Sequence, residues 1–303
     1  MNMSHQPGHD AVATHGWWYA HRYLLLRRLA QFFFLALFLT GPLFGLWITK
    51  GTLASSMTFD VLPLTDPFIF LQSLVSGHWP EFNAILGALI VLAGYLLLGG
   101  RSYCSWVCPI NPVTDLASWL RRRLGFGKGV KIKRGFRLYA LAAVLAVCAV
   151  TGVMAWELVN PITTLHRGLI FGFGWGAMSV LAIFTFDLFV AEHGWCGHLC
   201  PVGAFYGVVG KATVLRVSAP ARQACNDCMD CFAVCPENQV ISPALRGDKT
   251  GHGPLILSGD CTTCGRCIDV CAQDVFRLTH RFDQRLDNVG ADLSANLEER
   301  AAA

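Results

Sequence analysis

The chain has 303 residues, 53% hydrophobic and only 15% charged, and its mean hydropathy of +0.45 excludes an ordinary soluble globule. A net charge of +4 is too small to argue for a nucleic-acid partner, so its distribution matters more than its size. Thirteen cysteines exceed any general need of a membrane protein and require a chemical explanation.

After 28 mostly polar residues, Leu29 to Ile48 runs for twenty residues without a charge. Phe82 to Gly100 gives nineteen, Leu138 to Trp156 nineteen, and Gly174 to Val190 seventeen with one acid, Asp187. Each can cross about 30 Å of hydrocarbon as a helix, so four transmembrane helices are expected. A cleaved signal peptide does not fit the first run, because bulky Trp47 and Ile48 stand where small residues precede a cleavage site.

Lys and Arg in the connections set the orientation. Arg22, Arg27 and Arg28 precede the first span, and nine bases separate the second from the third: Arg101, Arg121, Arg122, Arg123, Lys128, Lys131, Lys133, Arg134 and Arg137. The other connections hold only Lys50 and Arg167. Both termini and the central loop are therefore expected in the cytoplasm. Topology accounts for that basic loop beside membrane lipid, with no appeal to nucleic acid.

The apolar part repeats itself. Asp66-Pro67 falls 38 residues before Cys104 and Asn160-Pro161 falls 36 before Cys196, each with a helix between and a Cys-x-x-x-Cys-Pro at its cytoplasmic end. Two halves of like orientation make a two-fold parallel repeat. The apolar stretches after those prolines, Phe68 to Val75 and Leu169 to Phe173, are too short to cross and are expected to lie in the interface or dip into the bundle.

Composition changes near Arg222. Residues 221–303 hold twelve acids and eight bases, net −4, against +8 before them. The expected organisation is a cytoplasmic segment 1–28, a membrane domain 29–220, a C-terminal two-cluster ferredoxin-like α+β domain 221–280 and a polar tail 281–303.

That acidic domain carries Cys225-x-x-Cys228-x-x-Cys231-x-x-x-Cys235-Pro236 and Cys261-x-x-Cys264-x-x-Cys267-x-x-x-Cys271. Three thiolates at this spacing wrap one iron–sulfur cubane, while the fourth points toward a second. Cys225, Cys228, Cys231 and Cys271 are thus expected to hold one [4Fe–4S] cluster, and Cys261, Cys264, Cys267 and Cys235 the other. Zinc fingers present thiols in pairs rather than runs of four, and a reducing cytoplasm disfavours disulfides. Ala272 stands where a proline follows the other run, which alters local geometry without affecting ligation.

Cys104-Ser-Trp-Val-Cys108-Pro109 and Cys196-Gly-His-Leu-Cys200-Pro201 place two thiols on one helix face each, and the repeat brings both pairs to the cytoplasmic rim. These four can bind a third metal centre, form redox disulfides or only pack. Cys148, alone in the third span, reads as a packing residue. Asp187 is a candidate for proton transfer or for reaching the interface. Glu192, His193, Glu157, His166 and His78 flank the spans, and His78-Trp79 and Trp17-Trp18-Tyr19 read as interfacial anchors. No Cys-x-x-Cys is followed by His and no span contains a histidine, which excludes covalent haem and a bis-histidine haem pair inside the bundle. No dinucleotide fingerprint points to NADH.

From Gly16-Trp17-Trp18 through Cys104-Ser-Trp-Val-Cys108-Pro109-Ile-Asn-Pro and Glu192-His193-Gly-Trp-Cys196-Gly-His-Leu-Cys200-Pro-Val-Gly to the double ferredoxin motif, the chain resembles the NapH family of membrane ferredoxin-type proteins in periplasmic nitrate reductase systems. Through the paired Cys-x-x-x-Cys-Pro motifs it is also similar to polyferredoxins of nitrous-oxide respiration and oxidase assembly. The resemblance implies a quinol dehydrogenase component of the bacterial inner membrane. Its partners would be the quinone pool, a periplasmic iron–sulfur subunit and the reductase. The competing expectation is a membrane-anchored ferredoxin that serves metalloenzyme maturation without turning over quinol. Clusters inside and a reductase outside pose a difficulty: either quinone bridges the gap, or the clusters serve a separate branch.

Alkaline phosphatase fused after the last residue is expected to be inactive, since that enzyme works only outside the cytoplasm. An active fusion would reverse the topology.

Overall fold

The computed structural model describes residues 6–127, 129–130, 132–133, 135–172 and 174–283. Lys128, Lys131 and Arg134 of the charge count, Phe173 of the second short stretch, and the tail beyond residue 283 lie outside the described residues. The chain is mostly helical. In order it forms α1 (His9–His15), α2 (Trp17–Phe44), β1 (Thr49–Gly51), β2 (Ser55–Thr58), β3 (Leu62–Thr65), α3 (Pro67–Val75), α4 (Phe82–Leu98), α5 (Ser102–Trp106), α6 (Ile110–Arg123), α7 (Phe136–Thr151), α8 (Ala155–Val159), α9 (Pro161–Phe171) and α10 (Trp175–Thr185). Two π turns, Phe186–Val190 and Trp195–Leu199, lead to α11 (Pro201–Val209), β4 (Leu215–Ser218), α12 (Asp230–Val234), α13 (Ile241–Arg246), α14 (Arg266–Asp269) and β5 (Arg277–His280). These elements form two compact units.

One unit draws its described residues from Met1–Arg27, Leu96–Ser102 and Val209–Ala303, three stretches rather than the single span 221–280. Its centre is the antiparallel pair β4–β5, in register from Leu215 opposite His280 to Ser218 opposite Arg277. Val217, Ile241, Val270 and Val275 pack there with less than 3% exposure. Polar ties hold the distant stretches to this core. The Gly8 N–H donates to Asp230 Oδ2 at 2.9 Å, and those of Tyr23 and Leu24 donate to Asp269 at 3.1 and 3.0 Å. Arg101 pairs with Glu237 at 2.5 Å, both fully buried, and donates to the Asp260 carbonyl at 3.0 Å. An ion pair so buried specifies geometry more than it adds stability.

The second unit comprises Arg28–Tyr95 and Tyr103–Val208. A three-stranded antiparallel meander, β1-β2-β3, leads into α3. The repeat positions fold alike locally. Asp66 caps α3 by accepting the Phe68 N–H at 2.7 Å, Asn160 caps α9 by accepting that of Ile162 at 3.1 Å, and a proline fills the next position of each helix. Phe68, Gln72 and His166 are at most 3% exposed, so both short helices run inside their unit rather than over its surface. Close backbone approach requires glycine beside each. A Cβ on Gly87 would stand 3.0 Å from the Thr65 nitrogen, and one on Gly176 2.6 Å from the Thr164 oxygen.

Among the described residues one helix, α2, is long and apolar enough to cross a membrane, and three shorter apolar helices coincide with the other expected spans. Three end earlier than composition implies, the second at Leu98 rather than Gly100, where Gly99 takes a φ of 112°. The first stops at Phe44 rather than Ile48 and the third at Thr151 rather than Trp156, because Gly45 and Gly152 take left-handed backbone with φ of 73° and 68°. The fourth continues past Thr185 as a π turn. Leu29, Phe33, Leu97, Val150 and Leu181 are each at least 60% exposed, an apolar exterior that water does not favour.

Asp269→Ala is expected to destabilise the first unit by about 3 kcal/mol, because Arg266, 2.9 Å away, loses its buried partner. Asp269→Asn should lose less. A chemical denaturation midpoint unchanged by the alanine variant would contradict this.

Candidate functional site

The two cysteine runs of the first unit fold into loops of one shape. In each, the residues two and four after the first cysteine take positive φ: Asp227 (57°) and Met229 (68°) in one, Thr263 (50°) and Gly265 (72°) in the other. Three of these four are not glycine, and left-handed backbone costs each of them of order 1 kcal/mol. Its effect is to curl each loop back on itself. A short helix then starts in each loop, α12 carrying Cys231 and α14 carrying Cys267.

Cys225, Cys228, Cys231 and Cys271 line one depression of about 390 Å³, counted to its open mouth, walled by Leu245, Val270 and Phe276. Burial pushes the Cys231 thiol up to about 12, and the thiolates of Cys228, Cys271 and Cys225 push the same way. Cys235 keeps other company. Burial and then the neighbouring Cys264 and Cys261 hold its thiol well above the ordinary range, and Cys267 is raised by burial followed by Cys264, Cys235 and Cys261. Cys261 rises only to about 11, since the Thr263 N–H and the Arg216 and Arg101 guanidinium groups oppose its burial. Cys225, Cys228, Cys231 and Cys271 thus share one depression, while Cys235 and Cys267 have Cys261 and Cys264 as neighbours, Cys267 with Cys231 as well. Four thiols without a nitrogen donor is the donor chemistry of an iron–sulfur cluster. The first group opens to solvent at Cys228, whereas Cys264 of the second is 8% exposed.

The second unit holds the remaining motifs. Cys104 lies on α5 and Cys196 on the second π turn, and the N–H of the later cysteine reaches back five residues in both: Cys108 to the Tyr103 carbonyl at 3.0 Å, Cys200 to that of Trp195 at 2.9 Å. Pro109 and Pro201 then begin new helices. Burial, then Cys104 and Cys200, raise the Cys108 thiol; burial, then Cys200, Asp187, Cys108 and Cys104, raise that of Cys196. All four thiols therefore share one electrostatic neighbourhood. Cys148 is apart from them, fully buried beside Gln72.

Asp187 is fully buried and accepts the Trp195 N–H at 2.9 Å, one residue before Cys196. Glu192 pairs with Arg122 at 3.3 Å, and the His193 ring lies 3.3 Å from the Ser118 hydroxyl. His166 is 3% exposed, edge-on to Phe38. His78 and Trp79 are exposed, as are Trp17 and Trp18. Sequence reasoning missed a tyrosine cluster: Tyr206, fully buried, stacks on Tyr103 at 5.2 Å, and Tyr95 meets both edge-on. Tyr206 also donates to Asp66 at 3.2 Å. The Asp66-Pro67 and Asn160-Pro161 pairs were the available signal.

Fold and site define a ferredoxin-type iron–sulfur electron-transfer protein. Residues 224–275 match the 4Fe-4S dicluster domain family, and residues 81–127 and 171–220 both match the family described as a 4Fe-4S binding domain. The chain is 51% identical over 282 residues to the ferredoxin-type protein NapH of Escherichia coli K12, covering 93% of this chain and 97% of the relative. It is 49% identical over 276 residues to NapH of Haemophilus influenzae (91% and 96%). It is 52% identical over 275 residues to the methylamine utilization ferredoxin-type protein MauN of Paracoccus denitrificans (90% and 96%). No solved structure matches. The chain belongs to the NapH-type family of ferredoxin-type proteins.

Anaerobically purified protein is expected to contain about eight iron and eight acid-labile sulfide atoms, rising to about twelve if the quartet of the second unit holds a further cluster. Cys228→Ser should remove about four. Stoichiometric zinc in place of iron would overturn the iron–sulfur assignment of these thiols.

Proposed function

We propose that the chain is a multi-pass protein of the bacterial inner membrane, a quinol dehydrogenase component that passes electrons from the quinol pool toward a periplasmic nitrate reductase. The observation that carries this reading is one chain combining two all-thiol groups in a ferredoxin unit with a third thiol group among apolar helices. In it, Cys225, Cys228, Cys231 and Cys271 hold one [4Fe–4S] cluster and Cys261, Cys264, Cys267 and Cys235 the other. The clusters supply one-electron acceptors; the chain supplies their thiolates, the loops that aim them and the apolar setting for quinol.

Four spans with both termini cytoplasmic, arranged as a parallel repeat, are part of the proposal. The exposed apolar side chains of α2, α4, α7 and α10 support membrane embedding. The paired caps, the paired five-residue hydrogen bonds and the two matches to one family model support the repeat. The domain division 1–28, 29–220, 221–280 and 281–303 is kept for the order along the chain, with residues 6–27 and 96–102 packing as part of the ferredoxin unit. A periplasmic iron–sulfur subunit is the proposed partner.

One observation favours a second reading. Identity to a protein named for methylamine utilization, 52%, is close to the 51% to NapH, so the fold is not tied to nitrate. A membrane-anchored ferredoxin for metalloenzyme maturation uses the same thiols without quinol turnover. Anaerobic titration with quinol separates the two: bleaching of the visible cluster absorbance is expected, and its absence, with dithionite still bleaching, would leave only the accessory role.

A further inference from the structure

The caps of the two short helices differ in one respect that capping does not explain. Asn160 caps α9 as an uncharged amide, and Asn is as good a cap as Asp. At the matching place the chain holds a half-buried carboxylate, Asp66, which accepts from the Phe68 N–H and the Tyr206 hydroxyl, a choice that costs free energy unless the charge has a use. Burial pushes this carboxyl up to about 6, against the Phe68, Tyr206 and Ile69 donors.

Both caps line the same cavity. Its enclosed part has room for roughly one water, and counted to its mouth the void is about 270 Å³. Asp66, Asn160 and Thr163 make its polar side; Phe68, Tyr103 and Trp156 make much of the rest. Trp156 is 5% exposed, and its indole N–H has no hydrogen-bond partner among the described residues. A cavity bordered by a carboxylate acceptor and by a tryptophan whose N–H is unpartnered, next to aromatic rings, is complementary to an aromatic hydroxyl, which both donates and accepts. The helices that frame it, nine and eleven residues long, rise about 13 and 16 Å. Half-helices whose N-termini meet at a cavity are a recurrent way to build a binding site inside a bundle. The cavity, the tyrosine cluster and the thiols of Cys104, Cys108 and Cys200 belong to one packed core.

We propose that this cavity is the hydroquinone site: one hydroxyl donates to Asp66, its oxygen accepts from the Trp156 indole, and the ring lies against the aromatic wall. The proposal rests on the quinol reading above and specifies its location. It also predicts selectivity. A hydroquinone has the O–H that a carboxylate requires, whereas a quinone presents only carbonyl oxygens, which a carboxylate repels and an amide welcomes.

The test uses the full-length protein in detergent, with duroquinol added to dithionite-reduced protein and duroquinone to oxidised protein, binding being read from quenching of tryptophan fluorescence. Asp66→Asn keeps the cap, as Asn160 demonstrates, and should weaken duroquinol binding about tenfold or more while leaving duroquinone binding equal or tighter. Ala54→Leu, at the cavity wall, should weaken both and serves as a second variant should the first fail to fold. Wild-type protein that binds duroquinol and is bleached by it, with both variants binding as tightly, would place quinol elsewhere and overturn the site while sparing the quinol reading. Wild-type protein that neither binds nor is bleached would overturn both.

Discussion

Backbone held in the left-handed region is what the ferredoxin unit depends on. At Asp227, Met229 and Thr263 the chain accepts a conformation that side chains disfavour, and surrounding packing has to enforce it. The return is that eight thiols need not be carried on long flexible arms. Each loop curls by itself, and a fourth thiol, Cys271 or Cys235, arrives from the partner run. Enforcement extends far along the chain: at Gly265 the second loop passes so close to the Tyr23 ring that a Cβ would stand 2.4 Å from it. The N-terminal stretch is thereby part of the machinery that shapes a loop some 240 residues later, and the Asp230 and Asp269 carboxylates fasten it.

The second unit solves a different problem, how to bring polar chemistry into an apolar bundle. Short helices with satisfied caps do so without leaving buried backbone groups unpaired. The two Cys-x-x-x-Cys-Pro motifs use a related device. Each reaches back five residues before a proline starts the next helix, a π-type irregularity of the kind that gathers at functional sites. The same irregularity places Asp187 against the backbone of Trp195, so this acid positions a thiol-bearing turn whatever else it does.

Electrostatics links the thiol groups to one chemical theme. Every cluster of thiols contains members whose acidity is suppressed first by burial and then by each other. Burying several groups that repel one another in their anionic form is unfavourable unless positive charge joins them. Iron supplies it in the cluster loops of ferredoxin-type domains. Near Cys261 the Arg101 and Arg216 guanidinium groups add to it, whereas Cys228 stands near water, so the two thiol groups of this unit sit in unlike fields. The chain is nearly as similar to MauN, named for methylamine utilization, as to NapH.

Much was written locally. Three-residue spacing of Cys225, Cys228 and Cys231 and of their counterparts marks ligand loops because the loop itself is the device, and Asp66-Pro67 and Asn160-Pro161 mark helix starts because capping involves only adjacent residues. Apolar runs named the four hydrophobic helices for the same reason. Their ends were less legible, since left-handed backbone at Gly45 and Gly152 is a choice glycine permits and does not compel. What only tertiary structure decided is which distant residues meet. Residues 6–27 and Arg101 entering the ferredoxin unit, Tyr206 finding Asp66, and both caps facing one cavity all join positions dozens to hundreds of residues apart. Such contacts leave no periodicity or spacing in the chain; they depend on how whole elements pack, and that is settled only when the core closes.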